Sequence, residues 1–343
     1  MNSFIKAGLG IDIGSETNFA RLYLTDAKTG HPKRVGKRKF PNTSKGHLDL
    51  FNWAKKKTPT GVKLIITMEA TGVYHKPLAY FLTESEMPVS IVLPNKIKSF
   101  SASFNEHSKT DWIDADMIAR YAHDRQPKAW SPSAPSMREV KKLSRERQQV
   151  IDDITIAKNR LHAERSSGKP MNSILERYRK HIELLEAHEM EVMREIDRLC
   201  QADEKLGKMV LLLNTIYGVN TVTSVSILAE TDGFRLFTKR SQLVKYAGYD
   251  IVEKESGTSV RGKTRISKRG NSHIRKVLHF PAMTAIRQEG IFLEIYERVF
   301  KQSKCKMKAL VAVQRKLLIT MYALVKNGSE YQVNYHKERQ LVA

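Results

Sequence analysis

The sequence predicts an α/β domain at the N-terminus followed by a chain of helices, and two observations predict it. Up to about residue 130, short apolar strands alternate with turns and amphipathic helices. Beyond that point apolar residues recur at spacings of three, four and seven, the period of a helix face. Residues 7–13 read as a buried strand closed by Gly14, residues 18–25 as a second and residues 35–40 as a third. Their short, turn-rich joints predict an antiparallel meander. A helix over 44–56 carries Leu48, Leu50, Phe51 and Trp53. A strand over 63–68, a helix over 74–83, a strand over 88–93 and a helix over 111–122 follow. Three strands and then helix–strand–helix–strand–helix is the order of a ribonuclease-H-like α/β domain.

Ser131-Pro132-Ser133-Ala134-Pro135 breaks the pattern as a linker. Val140, Leu143, Val150, Ile154, Ala157 and Leu161 then mark one helical seam, with Arg147 intruding, and Ile174, Tyr178, Ile182, Leu185, Val192, Ile196 and Leu199 mark another. Two such helices joined by a short loop form a hairpin or a coiled coil, packed within one subunit or between subunits. The expected division is 1–130 for the α/β domain, 131–204 for the helical segment, 205–330 for a mostly helical C-terminal domain, and 331–343 for a tail. Within the C-terminal domain, residues 250–271 are polar, rich in Gly and Ser, and basic.

The 343 residues carry 59 Lys and Arg against 36 Asp and Glu, a net charge of +23. That excess points to a polyanionic partner, nucleic acid first. Cys200 and Cys305 lack metal-ligand spacing, which argues against a disulfide scaffold or a zinc finger. No apolar run reaches the ~18 residues of a membrane span, and no secretory leader is evident. The expected place of work is the cytoplasm or the nucleoid.

Four carboxylates carry the chemistry. Asp12 sits in the apolar strand Leu9-Gly10-Ile11-Asp12-Ile13-Gly14, where a charge is costly unless paired or bound to a cation. Glu69 ends Leu64-Ile65-Ile66-Thr67-Met68-Glu69. Asp111 and Asp114 project from one face at a helix start, with Asp116 turned away. Singly, the helical pair could serve only the helix dipole. Together the four make an all-oxygen site suited to Mg²⁺ or Mn²⁺, where two ions can assist phosphodiester cleavage.

Gly10-Ile11-Asp12-Ile13-Gly14, Met68-Glu69-Ala70-Thr71-Gly72-Val73-Tyr74 and Lys109-Thr110-Asp111-Trp112-Ile113-Asp114-Ala115 resemble the three blocks of the DEDD-type insertion-sequence transposases. This is the family numbered one hundred and ten, related to Piv-like DNA invertases. Glu255-Ser256-Gly257-Thr258-Ser259-Val260-Arg261-Gly262, Arg265-Ile266-Ser267-Lys268 and Pro281-Ala282-Met283 are similar to its C-terminal transposase domain. The resemblance implies a RuvC-like nuclease fold and a metal-binding tetrad of Asp12, Glu69, Asp111 and Asp114. It implies Ser256 as nucleophile of a DNA recombinase that cuts and rejoins donor and target DNA, guided by an element-encoded bridge RNA. A homodimer assembling to a tetramer is expected of an enzyme that joins several ends. One departure is Ile216-Tyr217-Gly218-Val219-Asn220, where Asn220 replaces the second glycine of a phosphate-binding turn.

Read without the family, Ser256 is one loop hydroxyl among several, and turn chemistry would explain it. The acid-free run Arg261, Lys263, Arg265, Lys268, Arg269, Arg275 and Lys276 is suited to gripping phosphates. The rival readings are a Holliday-junction resolvase or hydrolytic nuclease, which leaves the Ser256 block unused, a sugar-kinase-like ATPase, which needs a second phosphate hairpin, and a non-catalytic scaffold, which leaves Asp12 unexplained.

Overall fold

The computed structural model describes residues 4–104, 110–252, 255–256, 260–261 and 265–333. They form two compact units, residues 1–132 and 133–343, each with its own core. The whole is mixed α/β and mostly helical.

The first unit is built on β1 (Phe4–Ile13), β2 (Thr17–Asp26) and β3 (Pro32–Pro41), then α1 (Ser44–Lys57), β4 (Lys63–Glu69), α2 (Lys76–Glu84), β5 (Val89–Val92), α3 (Pro94–Ala102) and α4 (Asp111–Arg125). The strands form one sheet in the order β3-β2-β1-β4-β5. The first three are antiparallel neighbours, and β4 and β5 join β1 in parallel. Ala7, Leu9, Ile11 and Ile13 alternate onto one face of β1 and pack with Leu50 and Ala54 of α1 and Leu78, Ala79 and Leu82 of α2. The intervening Gly8, Gly10 and Asp12 face the other side, under α4. Each expected strand and helix of this unit is present. The sequence reading placed nothing between residues 93 and 111, where α3 lies. Only Ile97 and Phe100 of α3 are buried, too few to set a period.

The second unit opens with α5 (Pro135–Arg165) and α6 (Asn172–Ala202), an antiparallel hairpin within one chain. Val150, Ile154 and Ala157 of α5 and Leu175 and Ile182 of α6 are buried. The intruding Arg147 is held across the hairpin by Glu189 at 2.5 Å. Helices α7 (Glu204–Asn214), α8 (Thr221–Thr231) and α9 (Arg240–Ala247) follow. Next come the two-residue strands β6 (Ile251–Val252), β7 (Glu255–Ser256), β8 (Val260–Arg261) and β9 (Arg265–Ile266). Helices α10 (Ser272–Val277), α11 (His279–Ala285), α12 (Ile291–Ser303) and α13 (Lys306–Asn327) complete the unit. Met137 and Val140 of α5 and Val192 and Ile196 of α6 belong to the same core as α7, α8 and α13, so the base of the hairpin is part of this unit. No helix among the described residues is long and apolar enough to cross a membrane.

Candidate active site

The carboxylates are gathered by a seam of small residues. A methyl group on Gly10 would lie 2.1 Å from the backbone nitrogen of Ala119 and 2.5 Å from the carbonyl oxygen of Ala115. One on Gly8 would lie 2.9 Å from the carbonyl oxygen of Ala119. Only glycine fits at either position. Two strand residues advance ~6.6 Å and one helical turn ~5.4 Å. The matches Gly8 to Ala119 and His123, then Gly10 to Ala115 and Ala119, therefore run α4 antiparallel to β1. The next position along β1 is Asp12, and the next turn of α4 is its first, with Asp111 and Asp114.

The other strand delivers Glu69. The parallel register of β1 and β4 ends at Ile11 opposite Met68, so Asp12 and Glu69 succeed them side by side at the carboxyl ends of the two strands. Thr110 caps α4 by accepting a hydrogen bond from the Ile113 amide, which holds the first turn in place. Asp116, one turn further, is buried and accounted for elsewhere. It accepts from Arg21 Nε at 2.9 Å, Tyr23 Oη at 2.8 Å and Arg34 Nη2 at 2.9 Å, and so clamps α4 to β2 and β3.

The electrostatic result is concentrated on Asp12. Burial, then the negative charges of Asp114, Asp111 and Glu69, raise its pKa to about 7, partly offset by a hydrogen bond from the Ile13 amide. Among the described residues, no three His, Cys, Asp or Glu side chains are gathered tightly enough to hold a metal ion. The donors remain all carboxylate oxygen, the set that hard divalent cations prefer.

Two cations beside this site come from the basic run 33–39 of β3. Lys37 and Lys39 of β3 stand over the ring of Trp112, next to Asp111, at 5.2 and 5.9 Å from its centroid. Lys39 also stands 4.7 Å from the centroid of Phe19, the β2 partner of Asp12. By sequence alone the run 33–39 is either a face for the nucleic-acid backbone or, the reading favoured, a solvated strand edge; the aromatic partners lie on other elements and leave no local signal.

In the second unit, Ser256 lies in β7 with its backbone paired to Val260, one strand pair beyond the β6–β9 stem. The side chains of Ser256 and Arg261, and the whole of Lys263, lie outside the described residues. The stem is anchored at its base. The Ser267 amide donates to the Asp250 carbonyl, and Asn271 Nδ2 donates to Glu230 Oε2 at 2.7 Å. Glu230 is buried and also receives Arg145 Nε and Nη2 at 2.7 and 3.0 Å. Burial opposes its ionisation, but the Arg145 hydrogen bonds, the Lys141 charge and the Asn271 amide hold its pKa down to about 2.

Arg265, Lys268 and Arg269 are exposed, and Lys276 is exposed while holding Asp152 at 2.6 Å. Arg275 is turned inward, donating to the Ala247 carbonyl at 2.7 Å. The turn at Gly218 keeps a left-handed φ of +85°. Asn220 does not copy the missing glycine. It caps α8, accepting from the Thr223 amide at 3.0 Å in an extended conformation.

Comparison with known proteins places this arrangement. The transposase model of the IS110 DEDD type matches residues 9–164, and the model described as "Transposase IS116/IS110/IS902 family" matches residues 210–297. The "Pilin gene-inverting protein" of Moraxella lacunata is 25% identical over 97% of this chain and 99% of its own. Its namesake in Moraxella bovis is 25% identical over 87% and 91%. The "Insertion element IS110 uncharacterized 43.6 kDa protein" of Streptomyces coelicolor is 23% identical over 35% of this chain and 30% of its own. A fowlpox virus Holliday junction resolvase structure covers 34% of this chain and 95% of its own at 14% identity, but its TM-score of 0.26 carries no argument. The two family models span both units, and the chain belongs to the IS110 family of transposases, enzymes that rearrange DNA.

Proposed function

We propose that this transposase cuts and rejoins DNA strands with Ser256 as nucleophile and with Asp12, Glu69, Asp111 and Asp114 as the ligands of Mg²⁺ or Mn²⁺. The observation that carries the reading is Asp12, a strand carboxylate raised to about 7 by burial and by three other carboxylates. Such repulsion persists in a fold when the site has a use for concentrated negative charge. A divalent cation bound there supplies the positive charge that eases deprotonation of a hydroxyl and departure of an alkoxide. Lys37 and Lys39 would steady a phosphate beside it.

The chemistry balances without an energy source. Ser256 Oγ forms a bond to phosphorus, the bond to one deoxyribose oxygen breaks, and the serine proton passes to that oxygen. The serine phosphodiester keeps the bond energy, so a second deoxyribose hydroxyl can reverse the exchange on another strand. The sheet of three antiparallel and two parallel strands, with Asp12 and Glu69 on adjacent strands and Asp111 and Asp114 on α4, supports a ribonuclease-H-like, RuvC-like reading of the first unit. The family further implies a bridge RNA, and the exposed Arg265, Lys268 and Arg269 suit either polyanion. The α5–α6 hairpin, with Ile156, Met171, Leu184 and Met190 exposed, is proposed as the self-association arm of a dimer that pairs into a tetramer.

Trapping the protein on a DNA substrate tests the chemistry. The wild type should form a covalent adduct that Asp12→Asn and Ser256→Ala both lack, while Ser256→Ala still binds DNA. An adduct with Ser256→Ala would move the nucleophile to Ser259 or Thr258. Cleavage without any adduct would make the enzyme a hydrolytic nuclease. Sequencing nucleic acid that co-purifies with the chain tests the RNA, which should be one discrete species.

A further inference from the structure

The segment after the serine ribbon carries an exposed apolar face where helical patterning calls for polar residues. Helices α10 and α11 run almost as one, because the Leu278 amide donates to Ile274 and the Ala282 amide to Leu278. Their inner face buries Ile274, Leu278, Ala282 and Ala285. The outer face, at spacings of four, three and four, is Lys276, Phe280, Met283 and Arg287. Phe280 is 74% exposed and Met283 40%. Beside them the α7–α8 turn packs on α11, since a methyl on Gly218 would meet Thr284 at 2.9 Å and Pro281 O at 3.1 Å. That turn carries Tyr217, itself 48% exposed.

The charge around this face decides its partner. From residue 256 to 288 there is no Asp or Glu, while eight Lys or Arg occur, and Asp152 of α5 pairs with one of them, Lys276. Lys276 and Arg287 flank the apolar pair on the same face. A second copy docking through a two-fold axis would set the Arg287 cation against its own image, and the cores of protein interfaces are depleted of charge. Exposed rings between cations are instead the pattern of a surface that stacks bases and holds phosphates.

We propose that Phe280, supported by Met283 and Tyr217, is a stacking platform for unpaired nucleotides, with Arg287 on a flanking phosphate. Bases of an intact duplex are stacked on one another and cannot reach it, so its ligand is single-stranded nucleic acid, DNA or RNA. The inference rests on the nucleic-acid reading above and adds strand opening to it. A recombinase must unstack bases to exchange strands, and a platform beside the serine ribbon in sequence would hold them.

The test is binding of the full-length protein to labelled oligo-dT and oligo-U of about 20 nucleotides and to a duplex of the same length. Phe280→Ala should weaken single-strand binding roughly 5- to 150-fold, the loss of one stacked base, and leave duplex binding within about twofold of the wild type. Arg287→Gln should flatten the salt dependence of single-strand binding by about one phosphate contact. Phe280→Trp should retain binding, and its emission should be quenched by either oligonucleotide. Trp53, Trp112 and Trp130 all lie in the first unit, so the wild type supplies the background. A greater loss on oligo-dT assigns the platform to DNA and a greater loss on oligo-U to RNA, and either supports it. Unchanged single-strand binding by a folded Phe280→Ala, an equal loss on duplex, or an unquenched Trp would overturn the proposal. So would a Phe280→Ala chain that merely loses self-association, which would make a second copy the occupant. A wild type that binds duplex alone overturns this inference and leaves the transposase chemistry standing. One that binds neither removes the nucleic-acid reading of this face as well.

Discussion

Asp12→Asn should stabilise the first unit in chelator and destroy its response to Mg²⁺. In the folded chain the Asp12 carboxyl titrates near 7, against 3.8 for an unperturbed aspartate. Below pH ~4 it is protonated in both folded and unfolded chains and costs nothing. As pH rises the unfolded chain ionises first, so stability falls, and the loss is complete once pH passes 7. The ceiling is ~4 kcal/mol at ~1.4 kcal/mol per tenfold change. Asp12 is partly solvent-exposed, which screens the repulsion and brings the expected penalty to on the order of 2 kcal/mol. Asparagine keeps the shape and removes the charge. At pH 8 in EDTA the variant should therefore be more stable by about that amount, and near pH 4 the two should coincide. Urea unfolding followed by tryptophan emission reads this unit selectively, because all three tryptophans lie within it. If Asp12 is a metal ligand as proposed, added Mg²⁺ should reverse the order, since a ligand at ~100 times its Kd stabilises by ~2.7 kcal/mol and the variant lacks that carboxylate. A difference independent of pH, or a variant less stable in EDTA at pH 8, would refute the electrostatic account of the site.

Gly10→Ala should destabilise the first unit by about 3 kcal/mol or more and abolish cleavage, because the methyl meets helix backbone at 2.1 Å and α4 must move away from β1; unfolding and adduct formation measure both effects. Glu230→Ala should cost roughly 1–3 kcal/mol, because the Arg145 and Lys141 charges it leaves behind are partly solvated, read as a lower urea midpoint. The pH dependence of this group has the opposite sign to that of Asp12. With a folded pKa of about 2 against an ordinary 4.5, its stabilisation is present above pH ~4.5 and fades as pH falls toward 2, so the wild-type advantage over Glu230→Ala should shrink in acid. Asp116→Ala should leave Arg21 and Arg34 uncompensated and loosen α4, lowering stability by about 3 kcal/mol. Its cleavage should fall although Asp116 is not among the proposed ligands.

The sequence by itself determined every element of the first unit except α3, and it singled out Asp12. An alternating strand such as β1 can bury only one set of side chains on each face, so Asp12 among isoleucines was conspicuous without coordinates. Membership of the family was legible for the same reason, since ordered blocks of local sequence carry it. Helix α3 was not legible, because two buried residues three apart do not make a period. What only the tertiary structure decided is how groups distant in the chain affect one another. Nothing local to Asp12 says that α4, a hundred residues on, descends closely onto Gly8 and Gly10, or that burial and then the carboxylates of its first turn raise the Asp12 pKa. Helical phase already turns Asp116 away from Asp111 and Asp114, but nothing local to it says that arginines on β2 and β3 bind it into the framework. Lys37 and Lys39 look like solvent-facing charges until Trp112 and Phe19 arrive beneath them. Pattern fixes which face a residue takes, through the periods of strand and helix. Charge and aromatic interactions act over several ångströms of space, and which residues share that space is set by how the layers pack.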